Sequence, residues 1–243
     1  MVNAVTMADC VTQPITARSY SAAERLAAVR DLSAERVDYT GAQLIEAAVP
    51  DQPVILFEAW LADALLARDQ GRLTEPTAMV LATCDGGRPS ARTVLLKSVS
   101  AAGFVFFTNY QSHKGAEIAA NPAVALVFGW YALHRQVRVE GVAERVSRAE
   151  SEDYFRTRPR GSQLGAWASA QSSVVADRQD LAESYAAAEQ RFAGQDVPCP
   201  AHWGGYLVRP TLVEFWQGQP SRMHDRLRYT RTDDAWRLTR LAP

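Results

Sequence analysis

The strongest constraint on the fold is a change of pattern at Pro76. Beyond it, apolar residues alternate with polar ones or form short runs bounded by turn residues. AMVLATC (78–84) and SARTVLLK (90–97) read as strands around the turn Asp85-Gly86-Gly87-Arg88-Pro89. GFVFFTN (103–109), AVALVFGWY (123–131) and QVRVEGVAERV (136–146) continue the series, with KGAEIAAN (114–121) a short helix stopped by Pro122. Short helices are predicted around 148–157 and 178–192, joined by a segment containing Gly and Ser. GGYLVRP, LVEFWQG, MHDRLRYTR and AWRLTRL return to strands. Upstream, residues 21–30 read as a short helix. A second helix enters at Asp51-Gln52-Pro53, with Asp51 as cap and Pro53 in the first turn. Leu56, Trp60, Ala64 and Leu65 recur there at helical spacing, Gly71 closes the segment, and Trp60 reads as a core anchor. This order predicts an α+β fold, an antiparallel β-barrel with peripheral helices, rather than a parallel βαβ sheet. Residues 1–50 read as a leader and 51–243 as the single folded domain. At 243 residues the chain can bury a sizeable core without disulfides.

Charge narrows the partners. The formal net charge is −1, which argues against nucleic acid and anionic membranes. That average conceals an asymmetry: residues 1–75 carry 6 basic and 11 acidic side chains, whereas the remainder carries 20 and 16. Cys10, Cys84 and Cys199 form neither a disulfide framework nor a metal box, as expected of a reducing, cytoplasmic setting. The opening MVNAVTMADCVTQP lacks the basic and apolar regions of a secretory signal, and no apolar run is long enough to span a membrane. No GxGxxG, Walker loop, HExxH or GxSxG is present, and the four histidines are too scattered to propose a metal site.

Several polar clusters remain. If 221–228 is a strand, Arg222, His224, Arg226 and Arg228 share one side and suit an anion; the other reading is a solvated edge-strand face. Arg92 and Lys97 bracket a strand but face opposite sides. Ser112-His113-Lys114-Gly115 precedes a helix whose first N–H groups, with Lys114, make a phosphate cradle. Gln136 and Arg138 lie on one strand face, where Gln136 could serve a heterocycle's amide edge. Tyr154, Arg158, Arg160 and Ser162 form a further polar cluster, and Trp130, Trp167 and Trp216 read as core packing.

Taken in order, RTVLLK (92–97), FFTN (106–109), SHKG (112–115), RQV (135–137), YFRTRPRGSQLGAWAS (154–169), QSS (171–173), WGGY (203–206), EFWQG (214–218), RMHDRLRY (222–229) and the ending RLAP resemble the pyridoxamine 5′-phosphate oxidase family of FMN-binding split barrels. The resemblance runs from about Pro53 to Pro243. It implies a homodimer with FMN at the subunit interface, oxidising pyridoxamine 5′-phosphate or pyridoxine 5′-phosphate to pyridoxal 5′-phosphate in vitamin B6 metabolism. O₂ would be the acceptor and hydrogen peroxide a product. It implies FMN contacts from Arg92, Thr93, Val94, Leu95, Leu96, Lys97, Phe107, Thr108, His113, Lys114, Gln136 and Ser172. Gln171, Trp216 and Arg226 would complete that site from the other subunit. Lys97, Tyr154, Arg158 and Ser162 would hold the substrate phosphate, with Arg222 and His224 over the pyridine ring as the catalytic pair. Arg36 and Tyr39 match an element that covers the substrate in relatives. His113 stands where relatives often have Arg, and Phe107 replaces a frequent Tyr. Two rival functions are a phenazine-type FMN oxidase and a non-catalytic binder of flavin or pyridoxal phosphate.

Overall fold

The computed structural model describes residues 38–39, 41–233 and 235–243; the expected helix at 21–30, Cys10 and Arg36 lie outside them. Helix α1 (Pro53–Asp69) runs with Pro53 at its first turn and buries Leu56, Phe57, Trp60, Ala64 and Ala67 on one side. Its N-cap is Gln52, not Asp51, and no side chain caps it. Proline at the first helical position removes one of the N–H groups that a cap would otherwise satisfy.

Nine strands follow: β1 (Ala78–Asp85), β2 (Arg88–Leu95), β3 (Ser98–Ser100), β4 (Gly103–Asn109), β5 (Ala123–Trp130), β6 (Arg135–Arg145), β7 (Trp203–Gln217), β8 (Asp225–Thr232) and β9 (Ala235–Arg240). They form one antiparallel sheet ordered β2-β1-β5-β6-β7-β4-β3, with β8 on β7 and β9 on β8. Asp85 pairs with Arg88 across a two-residue turn in which Gly86 and Gly87 have φ of 54° and 79°. Both positions therefore favour glycine, and the turn's twist suits a hairpin.

β7 divides the sheet. One edge pairs with β6 along most of its length; the other pairs first with β4, up to Val208, and then with β8, from Leu212. Pro210 sits in the gap between those partners, where a missing N–H leaves no ladder bond unmade. GGYLVRP and LVEFWQG are thus one bent strand rather than two. The bend is accommodated on β6 by a bulge at Glu140/Gly141, where a Cβ on Gly141 would lie 2.1 Å from the Arg209 carbonyl oxygen.

Inside the sheet, Phe57, Phe104, Phe106, Phe128, Trp130, Phe215 and Tyr229 are all but inaccessible. Trp130 Nε1 donates to the Pro76 carbonyl at 2.9 Å, and the Tyr229 hydroxyl donates to the Pro50 carbonyl at 2.8 Å. Leu44 joins this core, so residues 41–50 pack on the barrel as part of the compact unit Tyr39–Pro243.

The remaining helices are α2 (His113–Ala120), α3 (Arg148–Thr157), α4 (Arg160–Ala168) and α5 (Arg178–Arg191). Helix α4 occupies the Gly- and Ser-containing segment between the two expected helices, where the sequence pattern predicts no helix, with Leu164 buried on its inner side. A second apolar cluster, built around Phe155, Leu164, Ala188, Phe192 and Trp203, fastens α3, α4 and α5 to the start of β7. No helix among the described residues is long and apolar enough to cross a membrane.

Candidate active site

A cavity of about 640 Å³ opens between the end of β2, β4, the start of α2, and the α3–α4 junction. Proline builds that junction. The residue before a proline is steered away from helical geometry, so α3 ends at Thr157 and Arg158 is extended. Pro159 then caps α4. Arg158 therefore projects from a corner, its guanidinium 4.7 Å above the Trp203 ring. Its Nη1 is buried without a hydrogen-bond partner, and burial pushes its pKa down. Phe107 stacks on Tyr154 at 4.0 Å and on Trp203 at 5.4 Å, forming an aromatic wall. Lys97 and Ser162 line the same space. Arg160 turns away, donating to the carbonyls of Phe192 and Gln195.

A second cation enters from α2. Ser112 caps that helix by accepting from the Gly115 N–H, and Lys114 follows in the first turn. Lys114 is buried, and its Nζ donates to Gln171 Oε1 at 2.7 Å, Ser112 Oγ at 3.1 Å and Thr108 Oγ1 at 3.3 Å. Burial, then the nearby Arg92, lowers its pKa, and Glu117 opposes them. Three neutral acceptors hold this cation, so its charge is left for an anion.

Arg92 lies beside the cavity rather than in its wall. Its guanidinium is engaged by Glu117 Oε2 at 2.8 Å, by Thr83 Oγ1 at 2.5 Å and by Ser90 Oγ. Leu96 points into the core, so of the 92–97 stretch only Thr93, Val94, Leu95 and Lys97 line the cavity. Phe107, Thr108, Lys114 and Tyr154 join them, and so does Gln171, expected from the other subunit but lying on this chain's own side, bonded to Lys114. His113 is exposed, with Nε2 3.4 Å from Glu117 Oε1. Ser172 is exposed at positive φ next to Gln171.

The other candidates gather elsewhere on the chain. Gln136 pairs with Trp216, and Trp216 with Arg226, so the three form a row across β6, β7 and β8 on one sheet face. Arg226 is tied to buried Glu214 at 2.8 Å and to the Ala242 carbonyl at 3.0 Å. The His224 ring lies 4.7 Å from Trp216, and Tyr39 sits edge-on to both. The expected run of four basic residues on one strand face is corrected here. Pairing with β7 begins only at Asp225, and Ser221 and Arg222 take positive φ in a 3-10 turn. Arg226 and Arg228 share a face; Arg222 and His224 belong to the turn that leads into it. Glu117, Glu214 and Trp203 were not singled out from the sequence. Glu117 was within reach of such a reading, four residues after His113 on one helix face.

The family model for pyridoxamine 5′-phosphate oxidase matches residues 67–190, and the model for the pyridoxine 5′-phosphate oxidase C-terminal dimerisation region matches 203–243. The chain is 54% identical to the pyridoxine/pyridoxamine 5′-phosphate oxidase of Rubrobacter xylanophilus, over 88% of its own length and 97% of that protein's. The chain belongs to the pyridoxamine 5′-phosphate oxidase family. The Synechocystis protein of the same name is 51% identical over 86% of this chain and 96% of its own. Among solved structures, PhzG from Burkholderia lata, in complex with tetrahydrophenazine-1-carboxylic acid, superposes with a TM-score of 0.76 at 30% identity, covering 84% of this chain and 99% of that one. A Nostoc punctiforme FMN-binding protein related to pyridoxamine 5′-phosphate oxidase shares the fold with a TM-score of 0.60 at 18% identity, over 77% and 97% of the two chains. In family terms, β7, β8 and β9 are the matched dimerisation region.

Glu117 gives this member of the family a measurable acid sensitivity. Burial pushes its pKa up, but hydrogen bonds from Ser90, Thr83 and Arg92 outweigh burial and hold it at about 2, against an ordinary 4.5. A carboxylate with a lowered folded pKa stabilises the fold fully above its unfolded value, and loses that contribution as pH falls towards the folded one. Glu117→Gln is therefore expected to destabilise the protein by about 1–3 kcal/mol at neutral pH. The gap from wild type should close between about pH 4.5 and 2. Thermal melts across that range test this; a gap that does not change with pH would deny Glu117 the role.

Proposed function

We propose that this chain is an FMN-dependent oxidase that converts pyridoxamine 5′-phosphate or pyridoxine 5′-phosphate to pyridoxal 5′-phosphate in the cytoplasm. O₂ is the acceptor, hydrogen peroxide is formed, and the amine substrate releases ammonia. The observation that carries this reading is one cavity served by two cations, the buried Lys114 and the half-buried Arg158, neither bonded to a carboxylate among the described residues. A flavin mononucleotide and a pyridoxal-type substrate each bring a phosphate dianion, so two such cations fit the pair.

In this reading Lys114, Arg92, His113 and Ser172 hold the FMN phosphate. Thr93, Val94, Leu95, Phe107, Thr108 and Gln171 border the rest of the cofactor. Lys97, Tyr154, Arg158 and Ser162 hold the substrate phosphate. Gln136, Trp216, Arg226, Arg222 and His224 do not line this cavity, and in this reading a second copy brings them to it. The functional form is thus a homodimer with FMN at the interface. Tyr39 covers the substrate ring, and the unit Tyr39–Pro243 is the catalytic domain. FMN held there would supply the redox chemistry, and water would hydrolyse the imine left by oxidation of the amine, releasing ammonia. The protein's part is orientation: Arg222 and His224 fix the pyridine ring, and the aromatic wall borders it.

The likeness to PhzG favours a second reading, an FMN oxidase acting on a phenazine precursor. A guanidinium such as Arg158 pairs with a carboxylate as well as with a phosphate, so the substrate oxidised, not this residue, separates the two readings. The test is to purify the protein, record its flavin spectrum and follow pyridoxal 5′-phosphate and peroxide formation under air. Arg222→Ala should lower turnover about tenfold or more, the loss of one oriented charged contact, and keep FMN bound. A protein that cannot take up FMN overturns the proposal. Retained FMN without oxidation of either substrate leaves only a binding role.

A further inference from the structure

Asp225 opens β8 and stands at the centre of a hydrogen-bonded hub. Its Oδ2 accepts from the Leu44 N–H at 3.1 Å and from Gln219 Nε2 at 2.9 Å; its Oδ1 accepts from Arg240 Nη1 at 2.7 Å. Gln219 is buried and also donates from Nε2 to the Ala42 carbonyl at 3.2 Å. Its backbone N–H donates to His224 Nδ1 at 3.0 Å. Arg240 reaches on to both oxygens of Glu46, at 2.7 and 2.9 Å, and to the Leu44 carbonyl at 2.5 Å. Three stretches distant in sequence, 41–46, 219–225 and Arg240, thus meet on one carboxylate.

Two consequences follow for His224. A nitrogen that accepts a hydrogen bond carries no proton, so the neutral ring bears its proton on Nε2 and presents that N–H outward. The segment pinned by the hub also begins beside Tyr39, whose ring lies 5.3 Å from His224 and rests on Gly218. A Cβ on Gly218 would come within 2.7 Å of that ring. The same hub therefore orients the imidazole and seats the aromatic ring that covers it.

We propose that Asp225 is a positioning residue. Through Gln219 it fixes His224 as the Nε2–H tautomer, and through Leu44 and Arg240 it holds the segment carrying Tyr39 against that ring. The proposal rests on the oxidase reading only in giving His224 a substrate to face.

Selective ¹⁵N-histidine labelling of the FMN-loaded protein reads the tautomer directly, the His224 signals being assigned by their loss in His224→Asn. In the wild type, Nδ1 should show the shift of an unprotonated ring nitrogen and Nε2 that of a protonated one. Asp225→Ala should average the two shifts and lower kcat about tenfold, the worth of one lost hydrogen bond, with FMN affinity unchanged. Asp225→Asn keeps an acceptor for both Gln219 and Leu44, so it should restore the tautomer and most of the turnover. Gln219→Ala cuts the same link without disturbing the Asp225–Arg240 pair and should reproduce the averaging, which keeps the test open if Asp225→Ala does not fold. A wild-type proton on Nδ1, or an unchanged tautomer in both Asp225→Ala and Gln219→Ala, overturns the proposal. The wild-type tautomer found in a protein with no oxidase activity would instead defeat the oxidase reading and leave the hub standing.

Discussion

Replacing Arg158 with methionine is expected to lower kcat/KM for pyridoxamine 5′-phosphate by about a hundredfold or more and to leave the melting temperature unchanged or raised. The first effect follows from charge. A guanidinium facing a phosphate dianion in a half-buried cavity makes charge-assisted bonds worth about 1.5–3 kcal/mol each, and losing them costs one to two decades or more of kcat/KM. The second follows from the company Arg158 keeps. Its Nη1 is buried without a partner, and no carboxylate among the described residues forms a salt bridge with it. A half-buried cation without a counter-ion costs some folding energy, which methionine relieves while still filling the space over Trp203. Steady-state kinetics with the phosphorylated substrate and with unphosphorylated pyridoxamine, together with calorimetry, separate the two effects. The variant should handle the unphosphorylated compound as poorly as the wild type does. A lower melting temperature with undiminished kcat/KM would make Arg158 a structural residue.

The trade expected at Arg158 is only half legible in the sequence. The charged residue types of the site stood out, because Arg, Lys and His in strand-end and helix-start positions carry a recognisable chemistry. Their counter-charges did not. Glu117 is 25 residues from Arg92, and Glu214 is 12 from Arg226; only the fold shows which arginines are neutralised at rest and which are free. The same limit applies to secondary structure. The strand at 103–109 and the helix at 148–157 agree residue for residue with their patterns, since each completes its periodicity locally. Helix α4 was hidden because its support is tertiary: Leu164 is buried against α5, and Trp167 Nε1 donates to the Pro198 carbonyl at 2.8 Å. The alternation Arg222-His224-Arg226 imitated a strand, yet positive φ at Ser221 and Arg222 turns the first part into a corner. That corner separates His224 from the arginine row and lets Gln219 hold it.

Lys114→Met is expected to abolish retention of FMN through purification and to raise its dissociation constant about a hundredfold, measured by quenching of flavin fluorescence. Among the basic groups near the cofactor cradle, Lys114 differs from Arg92 in what holds it. Arg92 is neutralised by Glu117 at 2.8 Å, so an arriving phosphate gains from it only what that carboxylate leaves. Lys114 is held by a hydroxyl pair and an amide, none of them charged, and it lies behind the cap of an eight-residue helix whose N–H groups face the same way. An anion docking there replaces weak acceptors with a full charge, worth about 3 kcal/mol, or about two decades in affinity. Burial and Arg92 already lower the pKa of Lys114, so removing it should leave the flavin-free protein's melting temperature intact. If Lys114→Met keeps wild-type affinity for FMN, the phosphate is held by Arg92 and His113 instead, and Glu117 must then release Arg92 when the cofactor binds.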